Sequence, residues 1–196
     1  MLTTIPVLMT VFIIGDAWQG ILPPLTDDLY EARMQTIGEG HLSAGNPYYL
    51  EHSDGPPLVI FGGAWLNAIP LWMGLPLTTT MVVNFIIWSL FFAASLYWLL
   101  KELRVKPWVG VIGTIFTYIQ SYAHVWRPVN MQTVYPFIFL FYVSLLRFIR
   151  EQSRKNILFL GLTTGATFYF YAYFWQTAII TLGLVFLYAL ALKNWP

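Results

Sequence analysis

The sequence predicts an all-α, polytopic transmembrane protein of about six spans. Its 196 residues are 58% hydrophobic and only 10% charged, whereas about a quarter of an average soluble domain is charged. Several apolar stretches reach the roughly 20 residues that a helix needs to cross a bilayer. A formal charge of +1 argues against a nucleic-acid partner, and the absence of Cys excludes disulfides, thiolate metal sites and a Cys nucleophile.

The apolar stretches place the predicted helices. We predict spans over residues 2–22, 77–100, 107–122, 131–149, 156–173 and 174–192, with 58–74 as an ambiguous seventh. Residues 1–14 carry no Lys or Arg and no small-residue cleavage site, so they predict a first span rather than a signal peptide. A span that begins at Met1 and a chain that stops just after another span are typical of a fragment.

The basic residues that follow residue 100 predict sidedness. They form three clusters separated by two helices each: Lys101, Arg104 and Lys106; Arg147, Arg150, Arg154 and Lys155; and Lys193. All three clusters therefore lie on one face, which the positive-inside tendency assigns to the cytosol. Segment 58–74 decides the position of the preceding loop. We predict an interfacial helix there rather than a short tilted span, because Gly62, Gly63 and Pro70 interrupt it and Trp65 and Trp72 share one helical face.

An acidic loop over residues 23–76 is then extracytoplasmic. Its first part, 23–57, holds six of the nine acids of the chain and one base, Arg33. Thr26 is a fair N-cap for an amphipathic helix over about 27–39. Tyr30, Met34, Ile37 and His41 form an apolar or aromatic stripe that is suited to the membrane surface. Asp27 and Asp28 are either catalytic carboxylates or ordinary capping residues at the helix start.

A turn-rich run follows this helix and contains Glu51, His52 and Asp54. These side chains are candidates for a proton shuttle, for metal ligands or for hydrogen bonds to a sugar. Two carboxylates and one His within four residues do not match a standard metal-ligand spacing. We therefore favour structure or substrate contact for this group.

The order of these features resembles that of a known superfamily. A first span, a loop that opens with Asp-Asp-x-Tyr-x-x-Arg, then Gly-Asn-Pro, then Pro-Pro-Leu before a Trp-rich helix resembles the C-type (GT-C) glycosyltransferases. This superfamily includes oligosaccharyltransferase catalytic subunits, protein O-mannosyltransferases and lipid A aminoarabinose transferases. The resemblance covers about residues 6–192 and is strongest over 26–72.

The resemblance implies transfer of a sugar from a polyprenyl-phosphate or polyprenyl-diphosphate donor to a glycan, lipid or protein acceptor. An Asp near the end of the first span would act as general base or would orient the acceptor. The Asp-x-Tyr spacing of oligosaccharyltransferase-like loops selects Asp28 through Tyr30, and the order found in aminoarabinose-transferase-like enzymes selects Asp27. Divalent-metal use is left open, since the second outside loop has no clear Asp or Glu and a long soluble C-terminal domain is missing.

The donor phosphate is best bound by an arginine, because two N–H groups of its forked guanidinium can bind two phosphate oxygens at once. Arg33 and Arg127 are the bases outside the predicted cytosolic clusters, and His124 lies near Arg127 in an outside turn. We predict that Arg127 binds the phosphate, with His124 and Arg33 assisting. The rival interpretation is an interfacial Arg127 that reaches lipid headgroups. The aromatic run 168–175 fits an interfacial belt better than a sugar platform.

The sequence thus predicts a glycosyltransferase in the cytoplasmic membrane of a bacterium or archaeon, with an extracytoplasmic active site. A transporter or lipid-handling protein is the alternative, although the spans contain almost no ionisable residues at mid-depth. A non-catalytic assembly subunit is a third interpretation.

Overall fold

The fold is known from a computed structural model that describes residues 28–43, 62–120 and 131–192. These ranges contain seven α-helices and no strand, so the all-α prediction is confirmed for them. The helices are α1 (Asp28–Gly38), α2 (Gly62–Trp72), α3 (Leu77–Glu102), α4 (Pro107–Gln120), α5 (Met131–Arg150), α6 (Arg154–Phe170) and α7 (Ala172–Ala191).

Three of the described helices are long and apolar enough to cross a membrane. They are Leu77–Glu102, Gln132–Arg150 and Tyr173–Ala191. Helices α4 and α6 have 14 and 17 residues, which is less than the roughly 20 of a full crossing. The predicted first span lies outside the described residues. The structure therefore accounts for three of the predicted spans, and the count of about six remains a prediction.

Helix α5 is the centre of the bundle and packs against α3 on one side and α6 on the other. Aromatic rings join α3 to its neighbours: Phe92 of α3 lies edge-on to Tyr118 of α4 at 5.5 Å and to Phe139 of α5 at 5.2 Å. Edge-to-face geometry matches the positive edge of one ring to the negative face of the next. Helix α7 covers α6 and leaves most of its own surface exposed, as expected of a helix in lipid.

Helices α1 and α2 form a pair that packs against the first half of α3. Met34 and Ile37 of α1 are fully buried in a cluster with Ala64, Ala68 and Met81. The predicted apolar stripe of α1 therefore faces protein at these two positions, where the sequence led us to expect the membrane surface. The small side chains of α2 explain the difference, because Ala64 and Ala68 let the two helices approach closely.

Helix α2 is too short to cross a bilayer by itself. Its 11 residues rise about 16 Å, and the hydrocarbon core is about 30 Å thick. Trp65 and Trp72 do share one face, as predicted, with ring centroids 5.4 Å apart. That face binds α1, since Trp72 Nε1 donates to the Ile37 carbonyl at 3.2 Å and Trp65 Nε1 donates to the Leu42 carbonyl at 3.0 Å.

Two of the basic clusters meet at one end of the bundle. Glu102, at the end of α3, binds Arg147 Nε at 2.7 Å and Arg150 Nη1 at 2.8 Å, both from the last turn of α5. The α1–α2 pair contacts α3 at Met81 and Asn84 instead. Eighteen residues of helix, or about 27 Å, separate Asn84 from Glu102. Helix α1 and these basic clusters therefore lie at opposite ends of α3.

The break between the last two helices lies at Tyr171, two residues before the predicted position. Tyr171 is extended, with φ −157° and ψ 131°. Across the break Phe168 stacks on Trp175, with centroids 5.5 Å apart. The run 168–175 contains no Gly or Pro to mark a turn, so ring packing sets the break and hydropathy could not locate it.

Candidate functional site

The described chain brings three of the predicted site residues onto one helix. Asp28 is the first residue of α1, and Tyr30 and Arg33 follow within its first two turns. The remaining predicted residues lie outside the described ranges: Asp27, Glu51, His52, His124 and Arg127. Their predicted roles are therefore untested by the geometry. Among the residues that are described, no group of three or more His, Cys, Asp or Glu is placed to hold a metal ion.

Arg33 is the most unusual side chain in this part of the molecule. It lies on the inner face of α1, one residue before Met34 and one turn before Ile37, and only 3% of it is exposed. Its Nε is buried and has no hydrogen-bond partner within the described residues. Arginine cannot lose its proton in a protein, so the buried guanidinium remains charged.

An isolated buried charge is costly. Removal of a guanidinium-sized ion from water has an effective penalty of several kcal/mol unless a counter-charge and hydrogen bonds offset it. A native protein keeps such a group where a partner of opposite charge arrives, either from another part of the chain or with a ligand. Arg33 is therefore a side chain of α1 whose Nε can still pair with a carboxylate of the chain or with an anionic ligand.

A signal for this burial is present in the sequence. Tyr30, Arg33 and Ile37 are spaced three and four residues apart, so Arg33 falls on the same helical stripe as its apolar neighbours. An arginine inside an apolar stripe predicts either a buried charge or a snorkelling side chain. The sequence analysis treated Arg33 only as an assistant to Arg127, which lies outside the described residues, and the structure adds that Arg33 is buried.

A polar junction fixes α1 and α2 on the bundle and contacts α1 at Met34. Asn84 of α3 donates to the Asn67 carbonyl at 2.8 Å and contacts Met34 Sδ at 3.7 Å. Asn67 donates in turn to the Gly63 carbonyl at 2.7 Å and to Thr133 Oγ1 at 2.8 Å. These bonds join α1, α2, α3 and α5 at one point, where apolar contacts alone would leave the register of α2 less defined.

Two further buried polar atoms at this junction lack a hydrogen-bond partner in the described part of the chain. They are Asn67 Oδ1 and Thr80 Oγ1, and both residues are fully buried. Thr80 lies one turn before Asn84 on α3. An amide oxygen and a hydroxyl at this junction can therefore each accept a further hydrogen bond.

Gln132 belongs to a second polar cluster that the sequence did not predict. Gln132 is fully buried and donates to Ser89 Oγ at 2.5 Å and to Tyr118 OH at 3.0 Å. Ser89 and Tyr118 also bond each other at 2.6 Å. The cluster links α3, α4 and α5. Its bonds are interhelical hydrogen bonds of the kind that joins membrane helices.

Comparison of the chain with protein-family models, with curated proteins and with solved structures finds no match in any of the three. The class of this protein is therefore inferred from its own sequence and structure. Three helices that are long and apolar enough to span a bilayer indicate an integral membrane protein.

Proposed function

We propose that this chain is a membrane glycosyltransferase that transfers a sugar from a polyprenyl-phosphate or polyprenyl-diphosphate donor to an acceptor on the extracytoplasmic side. The observation that carries the proposal is the buried Arg33, whose Nε has no partner in the described ranges. It lies five residues after Asp28 on one helix. A cation and a carboxylate are the two groups that this transfer needs.

In the proposed reaction an acceptor hydroxyl oxygen attacks the anomeric carbon of the donor sugar. Its proton passes to the carboxylate of Asp28, or of Asp27, as the new C–O bond forms. The bond between the anomeric carbon and the phosphate oxygen breaks, and the phosphate leaves with the electron pair. Arg33 stabilises the charge of that leaving phosphate, and Arg127 and His124 are proposed to assist it. Tyr30, Glu51 and His52 are proposed to contact the sugar or the acceptor.

The position of α1 supports the proposed sidedness. Helix α1 packs at the opposite end of α3 from the cluster of Glu102, Arg147 and Arg150. If the basic end faces the cytosol, α1 faces the exterior, where polyprenyl-linked sugars serve as donors in the superfamily that the sequence resembles. We propose the cytoplasmic membrane of a bacterium or archaeon as its location.

The test is a pair of substitutions at Arg33, assayed in membranes for transfer from a polyprenyl-linked sugar. We expect Arg33→Met to raise the KM for the donor at least about tenfold, because charged hydrogen bonds contribute about 1.5–3 kcal/mol. Arg33→Lys keeps the charge but loses the forked geometry, so its KM should be intermediate. The donor-free Arg33→Met protein should unfold no more easily than the parent, since an unsatisfied buried group has been removed.

The control is Gln35→Met, which introduces the same side chain at an exposed position of α1. Two results would contradict the proposal. One is an unchanged donor KM in Arg33→Met. The other is a clear loss of stability in that variant relative to Gln35→Met, which would make Arg33 half of a structural ion pair with a carboxylate elsewhere in the chain.

A further inference from the structure

The basic end of the bundle contains a shallow cavity whose walls are charged. The cavity has a volume of about 270 Å³ and is lined by Glu102, Arg147, Arg150, Glu151 and Asn156. It is smaller than the roughly 300–1,000 Å³ of pockets for drug-sized ligands, so it suits a small charged group. It lies about 27 Å along α3 from the junction at Asn84, and the sugar-transfer proposal does not use it.

The arginines of this cavity are held in place by contacts that leave donors unused. Glu102 accepts from Arg147 Nε and Arg150 Nη1, and Arg150 Nη2 reaches the Glu102 carbonyl. The Arg147 guanidinium also lies 4.9 Å from the Trp98 ring centroid. A guanidinium has five N–H donors, and within the described residues Arg147 uses only its Nε–H. The two side chains are 43% and 39% exposed, so the remaining donors face outward.

The charge around the cavity favours an anion. Residues 101–106 and 147–155 hold seven Lys and Arg but only two acids, Glu102 and Glu151. Glu102 is engaged by the two arginines, which leaves Glu151 as the acid that opposes an incoming negative charge. Glu151 is exposed at the cavity wall.

Apolar side chains flank the same end of the bundle. Trp108 is the second residue of α4, and Ile157 and Leu158 lie in the first turns of α6; their exposed fractions are 65%, 51% and 67%. An anion that binds here would therefore have hydrocarbon surface beside it. A free phosphate makes no contact with such a surface. An anionic phospholipid would place its phosphate at the charged rim and its acyl chains along the helices.

We infer that this cavity binds the headgroup phosphate of an anionic phospholipid from the surrounding membrane. Arg147 and Arg150 are the phosphate ligands, and Asn156 bounds the cavity on the side of α6. The excess of positive charge selects anionic over zwitterionic lipid, because each Lys or Arg near an anionic surface adds to the attraction. The site depends on the chain being a membrane protein and is independent of glycosyl transfer.

The experiment uses the purified full chain in neutral detergent, titrated with phosphatidylglycerol, with phosphatidylcholine or with inorganic phosphate, and binding is read from the shift in Tm and from native mass spectrometry. We expect phosphatidylglycerol to raise Tm clearly more than the other two. Glu151→Gln should tighten phosphatidylglycerol binding about fivefold, because it removes one opposing charge. A gain in affinity cannot result from misfolding, so this variant keeps the test decisive.

A matched pair of charge removals tests the location of the site. Arg150→Gln should weaken phosphatidylglycerol binding at least about fivefold, and Lys106→Gln, which removes the same charge at the same end outside the cavity wall, should change it much less. Equal losses in the two variants would overturn the inference in favour of diffuse surface attraction. An equal Tm shift with phosphatidylcholine or with inorganic phosphate would overturn it as well, as would unchanged affinity in Glu151→Gln.

Discussion

Asp28→Asn is expected to lower the rate of sugar transfer about 10²- to 10⁴-fold, the usual contribution of a positioned general base. The amide keeps the size of the side chain but cannot accept the proton of the acceptor hydroxyl. Asp28 is the first residue of α1, and Asn there has the same size and no helix-breaking effect. The substitution should therefore leave the helix in place and remove the chemistry. The measurement is the initial rate of transfer from a polyprenyl-linked sugar in membranes.

Asp27 must be tested in the same way, because the sequence left open whether Asp27 or Asp28 is the main general base. Asp27→Asn made separately, and then together with Asp28→Asn, shows whether Asp28 acts alone or the pair shares the role. Glu39→Gln is the control, since Glu39 is an exposed carboxylate just after the other end of α1. Full transfer activity in both single variants and in the double variant would remove the catalytic assignment. A transporter would show no transfer activity in the parent protein.

Gly62→Ala is expected to destabilise the folded protein by about 1–3 kcal/mol, the typical cost of overpacking. A Cβ built on Gly62, the first residue of α2, would overlap the backbone carbonyl oxygen of Tyr169 near the end of α6. A backbone atom in a helix cannot move aside as a side chain can, so α2 must shift. Because α2 holds α1 through Trp65 and Trp72, the same substitution should also reduce transfer.

Three other glycines supply the controls for this prediction. Gly161 and Gly165 lie within α6, and no atom of the described residues is near enough to meet an added methyl group there. Alanine there should be neutral or stabilising by up to about 1 kcal/mol, from helix propensity alone. Gly38→Ala would meet the flexible Leu71 side chain at 2.6 Å, so an intermediate loss is expected. The measurement is the free energy of unfolding in detergent. If Gly62→Ala proved as stable as Gly165→Ala, α2 would not pack against α6 at Tyr169.

The elements that could be predicted are those with a strong local signal. A helix was predicted over about 27–39, and the described residues have one from Asp28 to Gly38, while the predicted cap Thr26 lies outside them. The long apolar runs that become α3, α5 and α7 were evident from hydropathy. Residues that lie between spans, such as the break at Tyr171, were located less well, because an aromatic run offers no Gly or Pro to mark a turn.

The packing around the candidate site was harder to predict, because it involves helices other than α1. The sequence placed Asp28, Tyr30 and Arg33 on one helix. It assigned Trp65 and Trp72 to the membrane interface, and the structure shows their indole N–H groups bound to carbonyls at and beyond the end of α1. Side-chain periodicity shows which residues share one face of a helix. It does not show whether that face will pack against lipid or against another helix, because both surroundings favour similar side chains.

The sequence by itself determined that the chain is helical and apolar, that its basic residues cluster between helices, and that its acids gather before residue 58. These properties depend on composition and on short-range spacing. Only the tertiary structure decided that Arg33 is buried and that Asn67 and Asn84 meet across two helices. It also decided that Glu102 lies between two arginines more than 40 residues away. The physical reason is that burial and long-range hydrogen bonds depend on which helix faces pack together, and that choice is made by the whole bundle.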